Sequence, residues 1–285
     1  MADKIDTRAV GPDVGLAFIR WLTGAENLHY GLWTGLDVTA ANLARAQEAY
    51  TVKLFGYLPA GPFRILDIGG GAGETAKKLL ALGHSVEIVV PSAFLAERCR
   101  QNAPGAVVHE CMLEEFAGKG PFDLCLFSES FQYIPLAESL PICARLLAPG
   151  GTVLIADCFR TDAYQGRGKQ GALPGGGHRL SAFRGALETS AFVVAAEEDI
   201  TDAVAPSINL EQQLFNVIGH AVTRVSDEMR TKRPTAHWTL ARFVGLFLSK
   251  RRRDNLMKRL NGTERNAEAF RKFNRYMILR LVHKA

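Results

Sequence analysis

Cysteine is scarce in this chain of 285 residues. The five cysteines, at positions 99, 111, 125, 143 and 158, form no close pair, and their number is odd. Disulfide frameworks and Cys-rich metal sites need closely spaced partners, and the seven histidines show no ligand spacing either. We therefore expect free thiols, no bound metal ion and a reducing compartment such as the cytoplasm.

Long hydrophobic runs are also missing. The most apolar stretch, Thr239–Ser249, is short and contains Arg242, whereas a membrane-spanning helix needs about 20 apolar residues. The first residues lack the basic-then-apolar pattern of a secretory signal. Both absences favour a cytoplasmic protein, and a hydrophobic content of 47% with 22% charged residues excludes a disordered chain.

Positive charge is in excess, but in one segment. Residues 207–265 carry twelve Lys and Arg against five Asp and Glu, a net charge of +7. Because the whole chain has a net charge of +5, the remainder is at −2. A basic module is therefore joined to a slightly acidic body, and this asymmetry bears on partners rather than on fold.

The hydrophobic pattern divides the chain into four parts. Residues 1–60 have helical periodicity and predict an N-terminal helical cap. Residues 61–206 alternate short apolar runs with helical stretches, which is typical of a parallel sheet with crossover helices. Residues 207–265 predict a basic helical insertion or lid, and residues 266–285 the final strand of the core. The other expected strands are Arg64–Ile68, Ser85–Val90, Ala106–His109, Asp123–Phe127, Thr152–Ala156 and Phe192–Asp199.

The most specific feature is a glycine-rich turn, Asp67–Gly73, between the first expected strand and the helix behind it. Glycine suits this place because it adopts unusual φ angles and lets a ligand approach the backbone, and the helix N-terminus presents free N–H groups. The turn alone leaves two other interpretations open: a tight turn without a ligand, and a dinucleotide fingerprint counted from Gly71. That fingerprint expects an acidic residue about twenty positions on, and Val89–Ser92 offers none.

Three motifs together resemble the class I S-adenosylmethionine (SAM)-dependent methyltransferases. The glycines of Asp67–Gly73 match the first motif, Phe122–Leu124 with Ser128–Ile134 matches the fourth strand and its loop, and Leu146–Asp157 matches the turn into the fifth strand. His29–Trp33 is similar to the HYGxW element of the small-molecule branch, near the tocopherol- and ubiquinone-type enzymes. The resemblance implies an α/β fold with a doubly wound, seven-stranded, mostly parallel, Rossmann-like sheet and an N-terminal and an inserted helical cap.

The resemblance also implies SAM as the cofactor, with S-adenosylhomocysteine as its product. Asp67 would anchor the loop or the methionine amine, and Tyr30 would hydrogen-bond the methionine carboxylate. The other residues implied in cofactor binding are Gly69, Gly70, Gly71, Gly73, Val90, Met112, Leu113 and Ser128.

Val90 departs from the family pattern, because the second strand there usually ends in an acid that binds both ribose hydroxyls. Glu87 stands three residues earlier, so we expect it to point to the other face of the strand. Loss of the acid removes about 1–3 kcal/mol of charge-assisted hydrogen bonding. The departure leaves open a rearranged nucleoside pocket or a domain that binds SAM poorly.

Four residues are candidates for the chemistry. Methyl transfer from a sulfonium is an in-line displacement, in which the enzyme aligns the reactants, excludes water and supplies a general base where the acceptor needs one. Candidates must lie at the carboxyl ends of the strands, as Tyr30 does by resemblance. Glu129, Gln132 and Tyr133 follow the fourth strand. The alternative is that Tyr30 is packed within the cap and that the other three satisfy loop backbone.

The basic helical segment admits three interpretations. Lys250–Arg253 is a solvated helix face, a docking site for an acidic carrier protein or anionic membrane surface, or a nucleic-acid contact. No recognition helix or aromatic-interleaved motif accompanies the charge, so we expect no nucleic acid. Apolar stripes at 210–225 and 240–248 predict that these helices pack against the core as a lid over the acceptor pocket.

The sequence as a whole favours a SAM-dependent methyltransferase, monomeric or homodimeric, with a small or medium, largely apolar metabolite as acceptor. The acceptor would be free or presented by a carrier or lipid. The alternative is a non-catalytic SAM-like binding or scaffold domain, which Val90 favours and the intact glycine turn opposes. A nicotinamide oxidoreductase is disfavoured by Val90 and by the Pro149–Gly151 turn.

Overall fold

A seven-stranded sheet forms the centre of the molecule in a computed structural model, which describes residues 7–166, 173–247 and 249–284. Its strands are β1 (Arg64–Ile68), β2 (Ser85–Val89), β3 (Val107–His109), β4 (Phe122–Ser128), β5 (Leu147–Arg160), β6 (Phe192–Asp199) and β7 (Asn274–His283). They follow the order β3-β2-β1-β4-β5-β7-β6. Strand β7 is antiparallel to β5 and β6, and the other neighbours are parallel. This doubly wound α/β sheet confirms the expected fold.

Helices cover both faces of the sheet and extend from one end of it. They are α1 (Thr7–Thr23), α2 (Leu43–Phe55), α3 (Glu74–Ala81), α4 (Ala93–Asn102), α5 (Leu136–Leu146), α6 (Leu180–Thr189), α7 (Thr201–Val204), α8 (Pro206–Lys232), α9 (Pro234–Phe247), α10 (Lys250–Asn261) and α11 (Ala267–Phe273). The segment 266–285, expected as a strand, therefore begins with a short helix before β7.

Two apolar clusters cover the sheet, one on each face, and a smaller third cluster contains Trp33, Leu43 and Ala46. Alternate side chains of a strand point to opposite faces, so Ile65 belongs to one cluster and Leu66 and Ile68 to the other. Asp67 shares the face of Ile65. Because β1, β2 and β4 are parallel, their carboxyl ends meet at one edge, where β1 ends in the glycine-rich turn.

The expected packing of the basic helices against the core is wrong for most of their length. Helix α8 has 27 residues and is about 40 Å long, so it extends past the sheet. Its first turns are buried through Ile208 and Gln212, whereas Val217, Val222 and Val225 are 69%, 45% and 60% exposed. Farther from the sheet, α8 has α9 and α10 as neighbours rather than the core. The stripe residue at position 248 lies outside the described residues.

Candidate functional site

A cavity of about 310 Å³ lies where β1, β2 and β4 end, and we call it the donor cavity. It is lined by the glycine-rich turn, by the end of β2, by the loop after β4 and by the segment after α1. The lining residues are Glu26, Asn27, Leu28, His29, Asp67, Gly69, Gly70, Gly71, Ala72, Glu74, Thr75, Val90, Pro91, Leu95, Ser128, Glu129, Ser130 and Tyr133.

The glycines of the turn have different surroundings. A Cβ on Gly69 would lie 2.4 Å from Cβ of Ser130, and one on Gly73 would lie 3.0 Å from Cα of Cys99 in α4. Gly71 has a φ of +56°, and an added Cβ there would have Leu28 Cδ1 as its nearest neighbour at 3.7 Å, an ordinary contact distance. Gly71 therefore leaves room for a ligand, whereas Gly73, which does not line the cavity, permits close packing of α4.

Asp67 is buried at the donor cavity without a partner. Neither carboxylate oxygen accepts a hydrogen bond from the described residues, and burial raises the pKa of this carboxyl to about 7. An unpaired buried carboxyl is costly, and a cationic amine entering the cavity would satisfy it. The turn and Asp67 together fit the methionine end of SAM.

Val90 takes the position expected for the ribose-binding residue. It is buried, lines the donor cavity, and its N–H donates to the carbonyl of His109 at 3.0 Å. Glu87 lies elsewhere, as expected, because its two oxygens bond Arg64 and His109, each at 2.7 Å. No carboxylate replaces the missing acid at this end of β2 within the described residues.

Met112 and Leu113 do not reach the donor cavity, contrary to their expected place in cofactor binding. Leu113 begins a short 3-10 turn, Leu113–Glu115, and is buried in the core cluster on the other face of the sheet. Met112 is exposed to solvent. The turn directs Leu113 inward toward the core, which leaves neither side chain in the cavity lining.

Glu129, directly after β4, is the most constrained residue of the site. Among the described residues it is the one non-glycine with a positive φ, 59°, a strained conformation that clusters at functional sites. Its Oε1 accepts hydrogen bonds from the Tyr30 backbone N–H at 2.7 Å and the Tyr276 hydroxyl at 2.9 Å. Burial raises the pKa of Glu129 to about 8, although the bond from Tyr30 opposes the rise.

A chain of hydroxyl groups continues behind Glu129. The hydroxyl of Tyr276 lies 2.8 Å from that of Tyr50, which lies 3.2 Å from Oγ of Ser128 in the donor cavity. Burial raises the pKa of both tyrosines, so they act as neutral hydrogen-bonding groups. Sequence reasoning missed Tyr50 and Tyr276, because no local pattern links them to Glu129.

Gln132 and Tyr133 differ in their relation to the cavity. Gln132 donates from its backbone N–H and its Nε2 to the buried Asp157, both at 2.9 Å, and it is absent from the cavity lining. Gln132 therefore donates hydrogen bonds to the buried Asp157 and does not contact a ligand in the donor cavity. Tyr133 lines the cavity at its edge and is 77% exposed.

The segment His29–Trp33 separates the donor cavity from a second one. His29 stacks on Tyr50 with ring centroids 4.4 Å apart, and burial lowers the pKa of its imidazole to about 4, which keeps it neutral. Gln47 Nε2 donates to the carbonyl of His29 at 3.0 Å, and Trp33 Nε1 donates to Oγ of Ser207 at 2.8 Å. These contacts fix the segment to both α2 and α8.

The second cavity, which we call the acceptor cavity, has a volume of about 590 Å³. It shares Asn27, Leu28 and His29 with the donor cavity, and Tyr30 lines it as well. Tyr30 was expected to bind the donor, but its side chain is absent from the donor cavity lining. The remaining lining residues, mostly apolar, are Phe18, Ile19, Trp21, Leu22, Gly31, Ala40, Leu43, Gln47, Ser207, Leu210, Glu211, Gln213, Leu214 and Val217.

Comparisons with known proteins agree with this arrangement. Residues 66–155 match the methyltransferase domain family. The ubiquinone biosynthesis O-methyltransferase of Caulobacter sp. (strain K31) is 31% identical over 160 residues, which cover 51% of this chain and 63% of that protein. The chain therefore spans less than two thirds of the length of this relative.

Solved structures share the fold at low sequence identity. Geranyl diphosphate C-methyltransferase from Streptomyces coelicolor A3(2), in complex with Mg²⁺, geranyl-S-thiolodiphosphate and S-adenosyl-L-homocysteine, superposes with a TM-score of 0.64 at 15% identity, covering 94% of this chain and 92% of that chain. The cyclopropane synthase MmaA2 from Mycobacterium tuberculosis gives 0.67 at 17% identity, with 95% of each chain covered. Together with the family match, these findings confirm the resemblance: residues 66–155 match a methyltransferase domain, and the chain has the fold of SAM-dependent methyltransferases.

Two negative findings concern the described ranges 7–166, 173–247 and 249–284. No group of three or more His, Cys, Asp or Glu side chains there is placed to hold a metal ion. No helix there is both long and apolar enough to cross a membrane.

Proposed function

We propose that this protein is a SAM-dependent methyltransferase that acts on a small, largely apolar metabolite. SAM supplies an electrophilic methyl group when it is bound in the donor cavity. Asp67 holds the methionine amine there, and the open side of Gly71 admits the ligand to the turn. The family match at 66–155 and the unpartnered carboxyl of Asp67 support this assignment.

Glu129 is the general base of this proposal. It lines the donor cavity, and it is bonded to the backbone N–H of Tyr30, a residue that lines the acceptor cavity. It therefore stands at the boundary between the two cavities, and this placement is the observation that carries the assignment. Within the described residues its Oε2 accepts no hydrogen bond, so this oxygen is available to take a proton from an acceptor hydroxyl or acidic carbon.

The walls of the acceptor cavity define the class of acceptor. Three of its polar side chains already have partners: Ser207 bonds Trp33, Nε2 of Gln47 bonds backbone carbonyls, and Glu211 is paired with Arg265 at 3.1 Å. Oε1 of Gln47 accepts no hydrogen bond from the described residues. A strongly polar acceptor would have to displace these bonds, whereas an apolar one gains by burying its surface. The acceptor is therefore an apolar molecule with one ionisable nucleophilic group, such as a phenol, and it is either free or presented by a lipid or carrier.

The proposal is tested by titrating SAM and S-adenosylhomocysteine into the protein by calorimetry. Methyl transfer from labelled SAM to a panel of apolar phenols and acidic carbon compounds follows. We expect Glu129→Gln to keep SAM binding and to lose about 10²- to 10⁴-fold of the transfer rate. Absence of SAM binding at millimolar concentration would overturn the proposal. Binding without transfer to any acceptor would favour the non-catalytic alternative that Val90 raises.

A further inference from the structure

Helices α9 and α10 form a surface on which large apolar and basic side chains are exposed together, and we call it the α9–α10 surface. Trp238 and Phe243 are 60% and 59% exposed. Residues 234–261 carry seven Lys and Arg against one Asp. The other large apolar side chains exposed there are Leu240, Leu256 and Met257.

Much of the positive charge of this surface has no ion-pair partner among the described residues, although Arg259 pairs with Glu211 at 3.7 Å. Near the end of α8, Arg230 pairs with Asp227 and Lys232 pairs with Glu228, each one helical turn earlier in the same helix. Over the described ranges, by contrast, no ion pair neutralises Lys250, Arg251 or Arg252. These three residues form the first turn of α10 with Arg253. They therefore present a concentrated charge to the surroundings.

Arg253 has a different role from its neighbours. It is partly buried, lines a groove of about 510 Å³ between α8 and α9, and reaches the carbonyl of Ala241 at 3.5 Å. It ties α10 to α9. Arg251 and Arg252 are exposed, so they can be changed without loosening this contact.

An apolar path joins this surface to the acceptor cavity. Val217 in α8 lines the acceptor cavity and is largely exposed, as is Trp21 on α1 at the same cavity. Farther along α8, Ala221 and Val225 line the groove that α8 forms with α9, and their spacing of four and eight residues places them on the same side of the helix as Val217. One face of α8 therefore runs from the acceptor cavity to the exposed apolar residues of α9.

We propose that the α9–α10 surface docks on an anionic lipid surface. Exposed aromatic side chains beside Lys and Arg are the combination that lies at the boundary between headgroups and acyl chains. Anionic headgroups complement the unpaired charge of the first turn of α10. The guanidinium of Arg242 lies 5.2 Å from the ring centroid of Trp238, so charge and aromatic surface meet at one place. An acidic protein would match the charge but leave these apolar side chains in water unless it carried an apolar patch as well.

The proposal extends the proposed function without depending on it. When the protein is docked, an acceptor dissolved in the lipid would reach the acceptor cavity along α8. Docking itself requires neither SAM nor catalysis. It can therefore be measured on the full chain in the absence of both, so its failure and the failure of the methyltransferase proposal are distinguishable.

The test is co-sedimentation of the full chain with vesicles of phosphatidylcholine alone or with 30% phosphatidylglycerol, without SAM. Binding should require the anionic lipid and should weaken with salt, which screens these charges beyond about 10 Å at 0.1 M. Arg251→Gln with Arg252→Gln should weaken binding by about five-fold per charge, roughly thirty-fold for the pair. The matched control is Lys119→Gln with Arg145→Gln, which removes two exposed charges from the core domain and should leave binding nearly unchanged.

A second pair of variants tests the apolar part of the surface. Trp238→Ser with Phe243→Ser should weaken vesicle binding while keeping the circular dichroism spectrum. Vesicles with brominated acyl chains should quench the tryptophan fluorescence of the wild type more than that of the Trp238→Phe variant. The proposal is overturned by absence of vesicle binding, by equal effects of the arginine pair and its control, or by no effect of the apolar pair. It is also overturned if the surface instead binds a second copy of the chain, an acidic carrier protein or nucleic acid.

Discussion

The carboxyl of Glu129 should change from mostly neutral to mostly charged between pH 7 and pH 9. With the pKa raised to about 8 by burial, roughly one tenth of these carboxyls are charged at pH 7 and roughly nine tenths at pH 9. A general base must be deprotonated, so kcat/KM for an acceptor that needs one should rise about ten-fold between these values. An unperturbed glutamate would give a rate independent of pH over this interval.

The hydrogen bond from Tyr276 offers a specific perturbation of this pKa. The bond stabilises the charged form of Glu129, so Tyr276→Phe should raise the pKa further. A hydrogen bond to a charged group contributes about 1.5–3 kcal/mol, and each pKa unit corresponds to about 1.4 kcal/mol. We therefore expect a shift of about one unit or more. Tyr57→Phe is the matched control, because Tyr57 also donates to a glutamate, Glu198 in β6, and neither residue lines either cavity.

The assay is carboxyl ¹³C NMR of protein labelled at its glutamates, with Glu129→Gln used to assign the resonance. It requires no acceptor, so it remains available while the acceptor is being identified. Titration of the Glu129 signal near pH 4.5 would refute the reasoning. So would a midpoint that Tyr276→Phe leaves in place.

Three further predictions concern the donor cavity. Gly71→Val should abolish SAM binding in a calorimetric titration, because the side chain would enter the cavity. The control is Gly35→Val, which should retain SAM binding: Gly35 also has a positive φ, but it has open space around it. Val90→Asp should tighten SAM binding by about 1–2 kcal/mol, and Val90→Asn should tighten it by less. Unchanged or weaker SAM binding by the Asp variant would mean that the ribose lies elsewhere. Burial raises the pKa of Asp67 and of Asp157 to about 7, so the folded state holds more protons than the unfolded one. The contribution of these two carboxyls to stability should therefore be fully present below about pH 4 and be lost as the pH rises through 7. A Tm difference between the wild type and Asp67→Asn that does not change from pH 5 to pH 8 would contradict this.

The parts of the site that the sequence predicts are those encoded by short local patterns. The strand Arg64–Ile68 and the glycines behind it are contiguous, so their periodicity and φ requirements are visible in the sequence itself. Glu129 follows the same logic, since it comes directly after a strand whose carboxyl end must lie at the ligand edge. Orientation was predictable for Glu87 because side chains alternate along a strand.

The parts that remained hidden depend on contacts distant in sequence. Tyr276 bonds Glu129 across 147 positions, and its strand reads as an ordinary buried one. Gln132 has the residue type and place of a site residue, yet Asp157 on the adjacent strand takes both of its donors. The amphipathic pattern of α8 and α9 predicts helices correctly, but periodicity does not reveal whether a partner covers the apolar face. The expected lid packing therefore holds for the first turns of α8, which line the acceptor cavity, and not for the rest.

The charge distribution of the donor cavity indicates how the departure at Val90 can be tolerated. Four acids line the cavity, and no Lys or Arg appears in its described lining. Two of them are occupied elsewhere, since Glu26 binds Arg98 and Glu74 pairs with Lys77. Asp67 remains for a cationic ligand, and on the proposed function it holds the methionine amine of SAM. Loss of the acid at position 90 removes a hydrogen-bond partner for the neutral ribose hydroxyls. The carboxyl of Asp67 still complements the positive charge of the ligand. Such a change weakens recognition of the nucleoside more than recognition of the reactive end.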